Sequence, residues 1–196
     1  MTLSKALVPS QSLPVRALMV VAGSAFIALA AQISVPMIPV PMTLQTLAVL
    51  LVGLAFGARM GALTVVAYLA EGAMGLPVFA NGGNGLAFAG PTAGFLLGFV
   101  GMAWIAGFAA DRGVKGVVAT ALVAMAASAL LYVPGVAWAM VLADLVGLDT
   151  AKWGADSFAS VWTWYMAPFL LGDAVKAVIA ALVVSGGWAA LKSRRA

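Results

Sequence analysis

A chain of 196 residues that is 64% hydrophobic and 8% charged cannot build the surface of a water-soluble domain, in which about a quarter of residues carry charge. Cysteine and histidine are both absent, which removes disulfides, thiolate and imidazole metal ligands, and the commonest general base. The formal charge of +4 records membrane topology rather than a nucleic-acid partner. The expectation is one integral membrane domain over residues 1–196, all-α, with six spans in a lipid bilayer and with no catalytic residue, metal or cofactor. Helices are preferred to a barrel because the apolar runs are continuous and do not alternate.

In chain order, a polar start leads into a first span at 16–33. It ends before the uncharged, proline-rich SVPMIPVP. A positive flank precedes this segment, but its apolar stretch exceeds a signal-peptide core, so it reads as a retained helix. The second and third spans, 43–56 and 60–74, are separated by a turn at Arg59 and are short for a full crossing of about 20 residues. A glycine-rich stretch from Gly75 to Gly90 follows, then a fourth span at 91–110 and the charged turn DRGVK. The fifth span, 116–142, runs past Pro134 and Gly135. The connection ADLVGLDTAKWGADS and the aromatic patch FASVWTWY precede the sixth, 166–190, and a basic tail.

Basic residues set the orientation. Lys5 and Arg16, Arg59, Arg112 and Lys115, and Lys192, Arg194 and Arg195 fall at alternate ends of a six-span bundle, which the positive-inside rule makes cytoplasmic, with both termini. Loops 34–42, 75–90 and 143–164 are then extracytoplasmic. The first two carry no charge and suit lids over a small molecule.

Asp173 and Lys176 stand alone as charges in the run Met166 to Val184. Each costs about 2.5–3.5 kcal/mol at a bilayer centre even on the lenient insertion scale. Three residues apart on a helix they share a face, partly neutralise each other and point together into the protein. Either a ligand site or a sealed structural ion pair would offset the cost, and the ligand site is the default reading. Ser24 and Ala28 have small-xxx-small spacing, which signals close approach of a helix either from this chain or from a partner. No G-x-x-x-x-G-K-[ST] loop is present, so the chain is not expected to hydrolyse ATP alone. NGGNG at 81–85 lacks the strand-to-helix context of a phosphate loop and reads as a gate or a turn. Glu71 and Asp173, with no activated nucleophile beside them, make an intramembrane enzyme a poor reading.

VPMIPVPMTLQTLAVLLVGLAFG (35–57), GLPVFANGGNGLAFAGPTAGFLLGF (75–99) and GDAVK (172–176) resemble, in order and spacing, the BioY family, biotin-specific S components of energy-coupling factor (ECF) transporters. The resemblance covers nearly the whole chain. It implies a six-helix S-component bundle in the bacterial cytoplasmic membrane that captures biotin at the extracytoplasmic face. It also implies a transmembrane T component and two cytoplasmic ATPases as partners, with the S component toppling to carry ligand inward. Some family members support uptake without that module, so a homo-oligomer stays open, and Ser24 and Ala28 are the nearest match to the first-helix pattern that packs on the T component. Asp173 and Lys176 match the family's Asp-x-x-Lys ligand position, where a carboxylate accepts from ureido N–H groups and an ammonium donates to a carbonyl or carboxylate.

Asn84, with Asn81 behind it, offers an amide from the 75–90 loop, although each also suits a turn beside glycines. Thr43 and Gln45 either line the site or cap the second helix. Phe79, Phe88, Trp162, Trp164 and Tyr165 lie near the outer face as pocket wall or interfacial belt, the belt being preferred for Trp162 and Trp164. Glu71 has three open roles: pairing with Lys176, solvation, or the site mouth. The alternative function is a solitary proton-coupled carrier of biotin or another small vitamin, with Asp173 or Glu71 as proton site.

Overall fold

The computed structural model describes residues 2–8 and 12–193; Arg194 and Arg195, counted above among the orienting charges, lie outside them. A short helix, α1 (Leu3–Leu7), precedes α2 (Leu13–Gln32), which starts behind Ser12 with Pro14 in its first turn, where the missing N–H has no cost. A two-residue antiparallel ladder pairs Ser34 with Thr43 and Val35 with Met42 and closes the proline-rich loop. Next come α3 (Gln45–Phe56) and α4 (Ala58–Ala73). They are separated by Gly57, whose φ of +87° ends one helix and admits the next.

Two 3₁₀ turns, Ala80–Gly82 and Gly85–Ala89, interrupt the following loop before α5 (Ala93–Asp111). The next helix, α6 (Val117–Ala137), contains Pro134 and continues through a π turn, Trp138–Leu142, into α7 (Ala143–Leu145). The last helical run begins earlier than the sequence suggests. The aromatic patch forms α8 (Phe158–Val161) and a π turn (Trp162–Met166) that feed directly into α9 (Ala167–Ser193). Among the described residues, four helical runs are long and apolar enough to cross a membrane: Leu13–Gln32, Ala93–Asp111, Val117–Leu145 and Phe158–Ser193. The α3 and α4 helices are shorter, as expected, and lie against α5.

Lipid tails are as apolar as leucine, so helix packing here depends on close approach rather than on escape from water. A Cβ on Gly53 would lie 2.5 Å from the Ala103 carbonyl oxygen, and one on Gly107 would lie 2.4 Å from the Ala58 nitrogen. Gly61 meets the Gly53 backbone in the same way. These contacts draw α3, α4 and α5 together, and Gly94 and Gly98 of α5 receive Pro134 of α6. Outward-facing Leu18, Leu29, Leu122 and Leu171 are each more than half exposed, the side a bilayer covers.

The basic helix ends gather at one end of the bundle. Gly23 packs on Phe56, Gly187 on Leu3, and the Ser185 hydroxyl donates to the Lys115 carbonyl at 2.9 Å. The Asp111 carboxylate accepts from the Ala58 N–H at 2.9 Å and caps the start of α4 there. The 34–43 and 75–91 loops occupy the opposite end.

Candidate functional site

At that opposite end lies a cavity of about 340 Å³, within the ordinary range for small-molecule sites. The two uncharged loops roof it with Pro39, Val40 and Pro41 on one side and Phe79 to Asn81 on the other, while Asp173 and Lys176 lie in its wall. The α9 backbone places the pair, and burial makes it consequential: Asp173 is 8% exposed and Lys176 7%.

Lys176 Nζ lies 3.4 Å from Asp173 Oδ1 and donates to Thr46 Oγ1 at 3.0 Å. The Tyr132 hydroxyl of α6 donates to Asp173 Oδ2 at 2.6 Å. The carboxylate thus holds one donor on each oxygen, and the ammonium keeps a third N–H direction unassigned. Phe95, Phe99, Phe169 and Tyr165 supply apolar wall around these groups. Such a site can take a solute with an amide-like or anionic polar group and an apolar body.

Thr43 and Gln45 both line the cavity and both serve the start of α3. The Thr43 hydroxyl oxygen accepts from the N–H of Gln45, the first residue of α3, at 3.1 Å. The Gln45 amide donates to the Tyr68 hydroxyl, which in turn donates to the Val78 carbonyl at 3.0 Å. The two asparagines separate. Asn81, with φ of 57°, lines the cavity mouth and accepts from the Ser34 hydroxyl at 2.7 Å. Asn84 accepts from the Leu86 N–H at 3.2 Å in a turn, and its side chain is not part of the cavity lining.

The roof is fastened by polar contacts. The Gln32 side-chain amide donates to the Phe79 carbonyl at 3.1 Å and accepts from the Gly82 N–H at 3.0 Å, so one side chain grips the loop at two points. Trp138 donates to the Gly90 carbonyl at 3.0 Å from the other side. Phe79 is 2% exposed, set edge-on between Tyr68 and Phe88. Tyr165 is 1% exposed and donates to the Trp153 carbonyl at 2.8 Å. Trp162 and Trp164 point outward, 46% and 53% exposed, where an interfacial belt would place them.

Glu71 does not pair with Lys176; it accepts from the Ser24 hydroxyl at 2.7 Å. Ser24 is 1% exposed and Ala28 packs against the core. Of the two contacts left open for this pair, Ser24 meets this chain's own α4, while Ala22 and Ala25 of the same helix remain exposed. Sequence reasoning missed Tyr132, Thr46 and Phe169. A phenol inside an apolar span was the one available signal among them.

Residues 5–193 match the model of the BioY family. The protein named biotin transporter BioY in Rhizobium etli is 40% identical over 160 residues, covering 77% of this chain and 79% of that protein. Its namesake in Rhodobacter capsulatus is 40% identical over 161 residues, covering 76% and 81%. The crystal structure of the S component for biotin from an ECF-type ABC transporter superposes with a TM-score of 0.68 at 20% identity. That superposition covers 95% of this chain and 96% of the other, so the fold is shared.

Proposed function

The chain belongs to the BioY family, and from that premise we propose that it is the biotin-binding membrane subunit of an ECF-type uptake system. The observation that carries the proposal is the buried Asp173–Lys176 pair, opened to a roofed cavity and braced by Tyr132 and Thr46. Biotin presents two ureido N–H donors, a carbonyl, an apolar thioether ring and a carboxylate on an aliphatic chain. Asp173 accepts from the ureido head, Lys176 donates to an oxygen of the ligand, and the phenylalanines face the ring and chain. Asn81, Gln45 and Thr43 add polar contacts at the mouth and wall. Asn84 shapes the loop that carries Asn81.

In this reading the chain crosses the bacterial cytoplasmic membrane six times, with α2, α3, α4, α5, α6–α7 and α8–α9 as its spans and both termini inside. The gathering of Lys5, Arg16, Arg59, Arg112, Lys115 and Lys192 at the end away from the cavity supports that orientation. The site then opens outward and binds without chemistry. Energy comes from a T component and two ATPases, since nothing in the sequence resembles a nucleotide loop.

Isothermal titration of the purified chain with biotin, beside the Lys176→Ala variant, tests the reading. Tight binding lost in the variant supports it. No binding by folded wild-type protein rejects the biotin assignment.

A further inference from the structure

A threonine inside an apolar helix commonly spends its hydroxyl on the carbonyl one turn back, as Thr64 does at Met60 and Thr163 at Ala159. Thr46 does not. It is the second residue of α3, and Met42, four residues behind it, lies in the strand ladder rather than in the helix. Its hydroxyl oxygen instead accepts from Lys176 Nζ at 3.0 Å, across 130 residues of chain. Gly172 permits that approach: a Cβ there would stand 3.1 Å from Met42 Sδ, so its absence lets the end of the first roof loop settle on α9 one residue before Asp173.

Lys176 thereby joins two acceptors on one wall of the cavity. Its Nζ lies 3.4 Å from Asp173 Oδ1 and 3.0 Å from Thr46 Oγ1, and all three residues line the cavity. The N–H bonds of an ammonium fan out tetrahedrally, so acceptors on two of them are held apart and the third N–H stays available. Each acceptor also keeps a lone pair, because Tyr132 takes the other carboxylate oxygen and a hydroxyl oxygen accepts twice. The wall thus offers one donor between two acceptors. A ligand carboxylate, which carries acceptors alone, would suit the ammonium and oppose both neighbours. A cyclic urea carries the complement, a carbonyl between two N–H groups.

We infer that Thr46 is a specificity residue that accepts the second ureido N–H of the ligand, completing with Asp173 and Lys176 an acceptor–donor–acceptor set that reads a cyclic urea. Lys176 then donates to the ureido carbonyl, and the ligand carboxylate lies away from it. The inference rests on the biotin reading and narrows it to a ligand with both ureido nitrogens unsubstituted. An analogue that lacks one N–H leaves an enclosed acceptor unpaired, which is how a polar site rejects a near-isostere.

Two measurements on the full chain in micelles test it. In titrations of wild-type protein, methylation of either ureido nitrogen of biotin should raise Kd at least about ten-fold, and a methylated isomer that binds like biotin itself would overturn the assignment. In proton–nitrogen correlation spectra of bound biotin labelled at both ureido nitrogens, Thr46→Val should shift one ureido proton upfield and leave the other in place, with Kd raised about ten-fold. Thr46→Ser, which keeps the hydroxyl, should retain the wild-type spectrum and an affinity within about three-fold. Equal movement of both protons in the Val variant, as a displaced Lys176 would cause, or movement of neither would also overturn the assignment. Wild-type protein that binds no biotin would instead remove the reading beneath it, so the two failures give different results.

Discussion

Neutralising the buried pair one residue at a time and then together separates a ligand site from a structural strut. Lys176→Met removes the ammonium 3.4 Å from Asp173 Oδ1 and leaves a carboxylate with a side chain 10% exposed and the Tyr132 hydroxyl as its remaining hydrogen-bond partner. Breaking one side of a buried pair costs about 3–5 kcal/mol, because the surviving charge is stranded. Adding Asp173→Asn removes that charge, and the Tyr132 hydroxyl then donates to an amide oxygen in the same place. Stability of the double variant should therefore return to within about 1–2 kcal/mol of wild type. Biotin affinity should not return. Two charge-assisted hydrogen bonds to the ligand are gone, at about 1.5–3 kcal/mol each, which amounts to at least a hundred-fold rise in Kd. Thermal unfolding in detergent and calorimetric titration on the same four proteins read the two quantities. A double variant that regains both stability and wild-type affinity would show that the pair only holds α9 in place, and the site assignment would fall.

Gln32→Ala should release the 79–83 loop at both points that the amide grips; at about 1 kcal/mol per hydrogen bond, dissociation of labelled biotin in a chase should quicken by roughly ten-fold or more. An unchanged rate would mean that the loop is held elsewhere. Gly72→Ala would place a Cβ 2.1 Å from the Phe79 ring, whose neighbours Tyr68 and Phe88 leave it little room. An overpacking cost of about 1–3 kcal/mol and a weakened site should appear together in the melting temperature and the titration; intact affinity would remove Phe79 from the binding wall. A cysteine at Gly83, in the loop roofing the cavity, should react with an impermeant maleimide from outside intact cells and more slowly with biotin present. Reaction only after permeabilisation would invert the proposed topology.

The charged pair was legible in the sequence because a bilayer makes every buried charge expensive, and the three-residue spacing already put both on one face. Its braces were not. Tyr132 stands 41 residues from Asp173, and Thr46 donates no periodic signal that sets it apart from Thr43. The two loop amides look alike beside glycines, and only the backbone path, left-handed at Asn81 and extended at Asn84, sends one to the cavity and the other into a turn. Ser24 and Ala28 announced close helix contact but not with which helix, since small residues serve internal and external partners equally. The FASVWTWY patch hid its helix because aromatic residues at an interface read as connection, and a π turn breaks the 3.6-residue spacing that would have joined it to α9.

The glycine contacts among α3, α4 and α5 carry a consequence for how occupancy is signalled. Where backbone meets backbone, as at Gly53 against Ala103 and Gly107 against Ala58, no rotamer can flip and no side chain can relay a change. Around these contacts the bundle is held backbone to backbone, whereas the roof loops are fastened through the side chains of Gln32 and Trp138. News of a filled cavity then has two routes to a partner, displacement of the packed helices as a whole or contact by a neighbour that reaches the roof loops directly. A messenger threaded through the core would have nothing to move.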